Sequence, residues 1–135
     1  MTQQKESILT ARSITKKENY QTIINSGNNT IIADEPLDKG GADTGMDPFG
    51  LLLASLGSCT SITLRMYIDR KMWIVDEITV DLELFRTENG VLIERMLKFK
   101  GELIQEQIDR LLQIADHCPI HKILTGNIDI YTTVA

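Results

Sequence analysis

The segment that follows Asp47-Pro48 constrains the fold more than any other part of the sequence. An aspartate can accept hydrogen bonds from the first free amides of a helix, and a proline in the first helical position loses only an amide that has no partner. Phe49 to Arg70 then predicts one helix of about 22 residues, roughly 33 Å long. This is longer than a chain of 135 residues buries by itself, so we expect a second subunit to cover part of it.

Apolar side chains recur along this helix at intervals of three and four residues, which places them on one face. They are Leu52, Leu56, Cys59, Ile62 or Thr63, and Met66. Further apolar residues extend the surface almost all round in the first half of the helix, a pattern typical of a helix that is covered on most sides.

The remaining sequence predicts strands and short helices, and together with the long helix it forms one α+β domain over residues 1–135. The predicted elements are a strand meander between Ile8 and Ile32, a loop over Asp34–Asp47, a strand over Ile78–Leu84, a hairpin turn at Glu88–Gly90, a strand over Val91–Gly101, helices over Gln105–Asp116 and Pro119–Leu124, and a final strand over Asn127–Val134. The turn signals at Ser26–Asn29 and Glu88–Gly90 predict antiparallel pairing of the strands beside them.

Charge and hydropathy exclude several functions. Fourteen Lys and Arg against nineteen Asp and Glu give a net charge of −5, which does not suit a nucleic-acid partner. The polar segment Met1–Arg12 has no signal-peptide pattern, and the most apolar stretch, Phe49–Leu56, is shorter than the ~20 residues of a membrane span. We therefore expect a cytoplasmic protein without a membrane partner.

Two cysteines are the main candidates for chemistry, because thiols in a reducing compartment are more often catalytic, redox-active or metal-binding than permanently paired. Cys59 lies in the helix among small residues that would let a ligand approach its thiol. Cys118 precedes Pro119 at a predicted helix start, where free amides favour a thiolate. The alternative is that each cysteine is a small buried apolar residue.

Two other groups of residues have simpler explanations than a binding site. His117 and His121 flank Cys118 and could form a metal-binding pair, but a zinc site needs three or four ligands and only Cys59 is left to complete one. The acidic residues between positions 34 and 47 predict a solvated loop with one helix cap; they are Asp34, Glu35, Asp38, Asp43 and Asp47. The sequence thus predicts no metal site.

Several segments together resemble the OsmC/Ohr family of thiol peroxidases, particularly its short OsmC-like branch. The resemblance extends from about Ala11 to Tyr131 and rests on the motifs Ala33–Pro36, Gly40–Gly45, Leu51–Thr60, Arg65–Lys71 and His117–His121. It implies antiparallel sheets wrapped around a long central helix in an intertwined homodimer, with two active sites at the subunit interface.

The resemblance also implies a role for each cysteine. Cys59 corresponds to the peroxidatic cysteine, which reduces an organic hydroperoxide and becomes a sulfenic acid, and Cys118 to the resolving cysteine, which forms a disulfide with it. An external dithiol of the lipoyl or thioredoxin type would reduce the disulfide, and no cofactor is needed because sulfur holds the two electrons. The alternative is a non-catalytic, small-ligand-binding or redox-sensing dimer.

The sequence departs from the family at the start of the cysteine helix. Family peroxidases usually have a Glu just after the proline, where it orients an arginine beside the reactive thiol, but this chain has Phe49 and Gly50. Asp47 is a candidate substitute for that carboxylate. Arg12 is a candidate for the arginine, because a cation near Cys59 is needed to lower the pKa of its thiol.

Overall fold

The computed structural model describes residues 4–135 and contains strands and helices in the predicted order. In chain order the elements are β1 Arg12–Thr15, β2 Thr22–Ser26, β3 Asn29–Ala33, a 3-10 turn Leu37–Lys39, α1 Pro48–Lys71, β4 Ile74–Thr87, β5 Gly90–Glu102, α2 Gln105–Ala115 and α3 Pro119–Leu124. The residues divide into two compact units, one up to Leu52 and one from Leu53 to Ala135. The prediction of a single domain remains a prediction.

The first unit contains the predicted meander, in which β1, β2 and β3 form an antiparallel sheet in sequence order. Ser26 pairs with Asn29, so the turn between β2 and β3 has two central residues. The first of them, Gly27, has φ of 58°, a backbone angle that glycine adopts without the steric cost of a side chain.

The prediction that the whole acidic loop is solvated is wrong for Asp34. Its side chain is buried and fixes the loop: one carboxylate oxygen accepts the amides of Tyr20 and Glu35, and the other accepts the amide and the hydroxyl of Thr44. The Thr44 hydroxyl is the main reason that the pKa of Asp34 is held well below its usual range. The backbone amides of Thr44, Glu35 and Tyr20 lower it further, and together they outweigh the burial. A carboxylate is the side chain that can accept all these hydrogen bonds at once.

Helix α1 runs for 24 residues, from Pro48 to Lys71, and so extends the predicted helix over Phe49–Arg70 by one residue at each end. Asp47 accepts the Gly50 amide at 2.8 Å, as expected of the residue that caps the first turn. The predicted apolar face is only partly correct, because the buried residues are Leu56, Thr60, Leu64 and Ile68, spaced four apart. Leu52, Ile62 and Met66 are exposed instead.

The length and composition of α1 alone would allow it to cross a membrane, since an 18-residue window within it has a mean hydropathy of 1.3. The core helix of a soluble protein meets the same criterion, so one such helix is weak support for a membrane span. The expectation of no membrane partner remains a prediction.

The second unit is built on the long antiparallel hairpin of β4 and β5, which confirms both predicted strands and the turn between them. A bulge near Val75 shifts the register at the open end of the hairpin, where Gly101 is the partner of Val75. The core lies between this hairpin, α1 and α2, and its buried members are Leu64, Ile68, Val75, Leu111, Ile114 and Ala115.

The predicted final strand over Asn127–Val134 is wrong for the described chain, in which these residues have no regular secondary structure. Their alternating apolar residues suit a strand, but a strand needs a neighbour to satisfy its backbone amides and carbonyls. Ile128, Ile130 and Val134 are exposed.

Candidate active site

Cys118 occupies the cap position of α3, as its place before Pro119 predicts. Its thiol is completely buried, and its sulfur accepts the backbone amide of His121 at 3.3 Å. The proline at the first helical position fixes the start of this short helix. The fold therefore aims a backbone hydrogen-bond donor at the sulfur of Cys118.

Cys59 faces Cys118 from the middle of α1, although 59 positions separate the two in the sequence. Cys59 is half-buried, and both thiols are free. The Ile120 amide and the Thr63 hydroxyl lie near Cys59 and act to lower the pKa of its thiol. The structure thus brings together the two cysteines that the sequence singled out.

Burial and the mutual influence of the thiols give them opposite pKa shifts. Burial raises the pKa of Cys59, and the adjacent Cys118 raises it further. Burial also acts to raise the pKa of Cys118, but the His121 amide, the Cys59 thiol and the Thr60 hydroxyl outweigh it, so the pKa of Cys118 is lowered. The pair therefore holds its first negative charge on Cys118.

A charged network lies next to Cys118 and centres on Arg95 of β5. The guanidinium of Arg95 donates to the Thr60 hydroxyl oxygen at 3.0 Å, to Asp116 Oδ1 at 2.9 Å and to His121 Nδ1 at 3.3 Å. Thr60 is completely buried, and its Oγ1 lies 3.9 Å from the Cys118 sulfur. The network joins α1, β5 and the segment between α2 and α3.

The sequence interpretation missed Arg95, although a signal for it is present. Half-buried residues alternate with exposed ones along the middle of β5, and the half-buried set is Ile93, Arg95, Leu97 and Phe99. Arg95 is thus the one charged residue in phase with three apolar ones. A charged side chain on the covered face of a strand needs a partner there.

An apolar cavity of about 570 Å³ lies beside the network, within the second unit. Its polar wall is formed by Arg95, Asp116, His121 and Thr125, and apolar side chains of α1, β5, α2 and α3 form the rest; they include Leu56, Ile93, Leu97, Leu112 and Leu124. A small molecule with an apolar body and one polar end would suit this lining.

The other candidate residues have separate positions. Arg12 begins β1 and is exposed, and the carboxylate of Asp47 caps α1. Their suggested roles toward Cys59 remain predictions. His117 is exposed, and within residues 4–135 no three His, Cys, Asp or Glu side chains are grouped to hold a metal ion.

A protein-family model described as OsmC-like protein matches residues 40–133, which is more than half of the chain. The chain belongs to the OsmC family. This confirms the resemblance seen in the sequence, and the α+β structure with one long helix and antiparallel sheets confirms the fold class. No curated protein matches the chain.

Solved structures of OsmC relatives have the same fold. An OsmC-like protein from Mycoplasma pneumoniae is 18% identical, with a TM-score of 0.76 over 90% of both chains. An organic hydroperoxide resistance protein from Elizabethkingia anophelis is 23% identical, with a TM-score of 0.64 over 94% of both chains. The organic hydroperoxide resistance protein OsmC from Legionella pneumophila is 20% identical, with a TM-score of 0.62 over 93% of this chain and 95% of its own.

Proposed function

We propose that this OsmC protein is a thiol-dependent peroxidase that reduces organic hydroperoxides in oxidative stress defence. The observation that carries the proposal is the placement of Cys59 against Cys118, with one thiol half-buried and the other buried at a helix cap. Two neighbouring free thiols are the groups that a disulfide joins. The relatives named for organic hydroperoxide resistance support the substrate class.

Accessibility assigns the roles within the pair. Cys118 is completely buried, so a peroxide with an organic substituent reaches Cys59 first. Cys118 has the lower pKa of the two thiols, so it is the first to lose its proton, and its thiolate would accept the proton of Cys59 as that thiol attacks.

The two cysteine sulfurs together supply the two electrons that reduce the hydroperoxide. The Cys59 sulfur takes the outer oxygen of ROOH as the O–O bond breaks, the Cys59 proton passes through Cys118 to the alkoxide, and the alcohol ROH leaves. The Cys118 thiolate then attacks the Cys59 sulfenic acid, and the departing hydroxide takes a proton and leaves as water. An external dithiol of the lipoyl or thioredoxin type returns two electrons and two protons by exchange.

The apolar cavity lies beside the Arg95 network, and its lining would suit the substituent of an organic hydroperoxide better than it would suit hydrogen peroxide. The protein would act as a homodimer in the cytoplasm, where the thiols stay reduced. The exposed apolar residues of α1 support a second subunit, as they would otherwise remain in contact with water.

Steady-state consumption of cumene hydroperoxide tests the proposal, with dihydrolipoamide and a thioredoxin system supplied in parallel. We expect turnover by the native protein with one of them, none by Cys59→Ser, and a single oxidation per site by Cys118→Ser. Serine at position 118 keeps an oxygen that can cap α3, so loss of turnover would report lost chemistry rather than lost structure.

The matched control is Ser58→Ala, which changes the exposed neighbour of Cys59 on the same helix and should leave turnover unchanged. Intact mass after one equivalent of peroxide should show the loss of two hydrogens in the native protein alone. Full turnover by Cys59→Ser would rule the proposal out.

A second function, a small-ligand-binding or redox-sensing dimer, is favoured by one observation. Phe49 and Gly50 stand where family peroxidases have a Glu, so the usual orienting carboxylate is absent at the start of α1. The same cavity could then hold a ligand that is not turned over. Disulfide formation without turnover by either reductant would favour a sensor, and no oxidation at all would favour a binding protein.

A further inference from the structure

We propose that Arg95 is the positioning residue of the cysteine pair, and that it acts through Thr60 and the first turn of α3 to hold the negative charge on Cys118. The inference rests on the proposed peroxidase function and assigns a cation to Cys118. This role is separate from that of the cation expected beside Cys59.

Arg95 lies mostly buried beside the cysteine pair, unlike a charged residue of the protein surface. Its side chain is only 13% exposed, while that of its partner Asp116 is 63% exposed. A guanidinium only donates hydrogen bonds, so Thr60 Oγ1, Asp116 Oδ1 and His121 Nδ1 all act as acceptors toward it. Three acceptors on two different segments hold the planar group in one orientation.

Two short routes lead from Arg95 to the Cys118 sulfur. The first is Thr60, whose oxygen accepts from Arg95 and whose hydroxyl can donate to the sulfur at 3.9 Å or to the Leu56 carbonyl at 2.7 Å. A hydroxyl whose oxygen already accepts from a cation is a stronger donor, which favours the bond to a thiolate.

The second route is His121, which contacts both groups. Its ring accepts from Arg95, and its backbone amide donates to the Cys118 sulfur. Arg95 therefore fixes the position of the residue whose amide solvates the thiolate. The charged or titratable groups around Cys118 are Cys59 on α1, Arg95 on β5, and Asp116 and His121 on either side of it in the chain.

The pKa of Cys118 measures this role directly, without peroxide or reductant. In a Cys59→Ser background Cys118 is the only cysteine, so the ultraviolet absorbance of the thiolate against pH reports it alone. We expect Arg95→Met to raise the pKa of Cys118 by about one unit, at the low end of the effect of a nearby opposite charge. Arg95→Lys should recover part of the shift, since it keeps the charge but not the three hydrogen bonds.

The matched control is Arg65→Met, which removes an arginine that is ion-paired with Asp69 on α1. It should leave the pKa unchanged.

Thr60 provides a second test that does not depend on how well Arg95 variants fold. Thr60→Val removes the hydroxyl with little change in shape and should raise the pKa of Cys118, whereas Thr60→Ser keeps the hydroxyl and should not. An unchanged pKa in both Arg95→Met and Thr60→Val would overturn the inference. It would leave the peroxidase proposal standing, because that proposal depends on turnover and its loss in Cys59→Ser.

Discussion

Cys59 and Cys118 have the same side chain but different surroundings. Backbone amides and a hydroxyl solvate the sulfur of Cys118, so a charge is stable on it without water. Cys59 is half-buried and carries a raised pKa. In the proposed mechanism Cys118 is the base and Cys59 is the thiol that meets the substrate, so the two environments complement each other.

Asp34 gives a pH-dependent prediction for stability. Its pKa is lower in the folded state than the ordinary value of 3.8, so its ionised form stabilises the fold above that pH and the contribution is lost as the pH falls toward the folded-state pKa. Asp34→Asn should therefore lower the free energy of unfolding at about pH 7, and its difference from the native protein should shrink below about pH 4. Urea unfolding of both proteins across this pH range measures the difference in their free energy of unfolding.

The control is Asp38→Asn, in the same loop, where the side chain is exposed and the substitution should have little effect at any pH. Other carboxylates titrate equally in both proteins and cancel from the difference. A difference between the native protein and Asp34→Asn that stayed constant with pH would contradict the predicted role of the ionised carboxylate.

Among single residues, the sequence identified those that lie in recognisable motifs. It missed those whose role depends on contacts with distant parts of the chain. Cys59 and Cys118 could be found because each occupies a recognisable local pattern. Asp34 could not be separated from the other acidic residues of its loop, because its burial depends on where the chain folds back to place Thr44. Arg95 was visible only as a charge in an apolar register, and its partners come from three other places in the sequence.

Among the elements, the bulged end of the β4 and β5 hairpin should lose stability when a single methyl group is added to it. A Cβ at Gly101 would lie 2.3 Å from the Ile74 carbonyl oxygen and 2.6 Å from Val75 Cα, both backbone atoms that cannot move without breaking the pairing. Gly101→Ala should therefore lower the free energy of unfolding by about 2 kcal/mol or more, as overpacking does in a close contact. Thermal or urea unfolding measures the loss.

Gly57→Ala is the matched control, since it adds the same methyl group at a close contact of another kind. Its Cβ would lie 2.8 Å from Leu82 Cδ1, the end of a flexible side chain that can rotate away. Alanine also favours the helix by about 1 kcal/mol over glycine, so we expect little net change. An equal loss in both variants would mean that backbone rigidity at Gly101 is not the cause.

The helices and strands could be predicted where signals in the local sequence were strong. They could not be predicted where the structure depends on contacts with distant parts of the chain. The start of α1, the β4 and β5 hairpin and α3 follow from a cap, a turn and a proline that act within a few residues. The final strand had the right alternation but finds no pairing partner in the described chain. The apolar face of α1 was misjudged because its many apolar residues gave little indication of which side the core would cover.

For the whole molecule, the exposed face of α1 predicts self-association. Ile62 and Met66 are one helical turn apart and are 54% and 60% exposed. If they meet a second subunit, Met66→Glu should place an unpaired charge in the contact and shift the protein from dimer to monomer. Size-exclusion chromatography with light scattering measures the mass.

Glu88→Gln, at the turn between β4 and β5, is the control and should remain dimeric. A native protein that is monomeric at micromolar concentration would contradict the prediction. The length of α1 indicated from the sequence alone that another surface was needed. The identity of that surface depends on contacts between chains, which the residue pattern of one chain does not specify.

If the cysteine pair forms the proposed disulfide, the hydrogen bond from the His121 amide to the Cys118 sulfur would report the oxidation. A thiolate is a strong acceptor and a disulfide sulfur a weak one, so the amide would lose much of its bond each time the pair oxidises and regain it on reduction. The helix start would then loosen and tighten once per cycle. The backbone resonance of His121 would follow the cycle as it runs, without an added label.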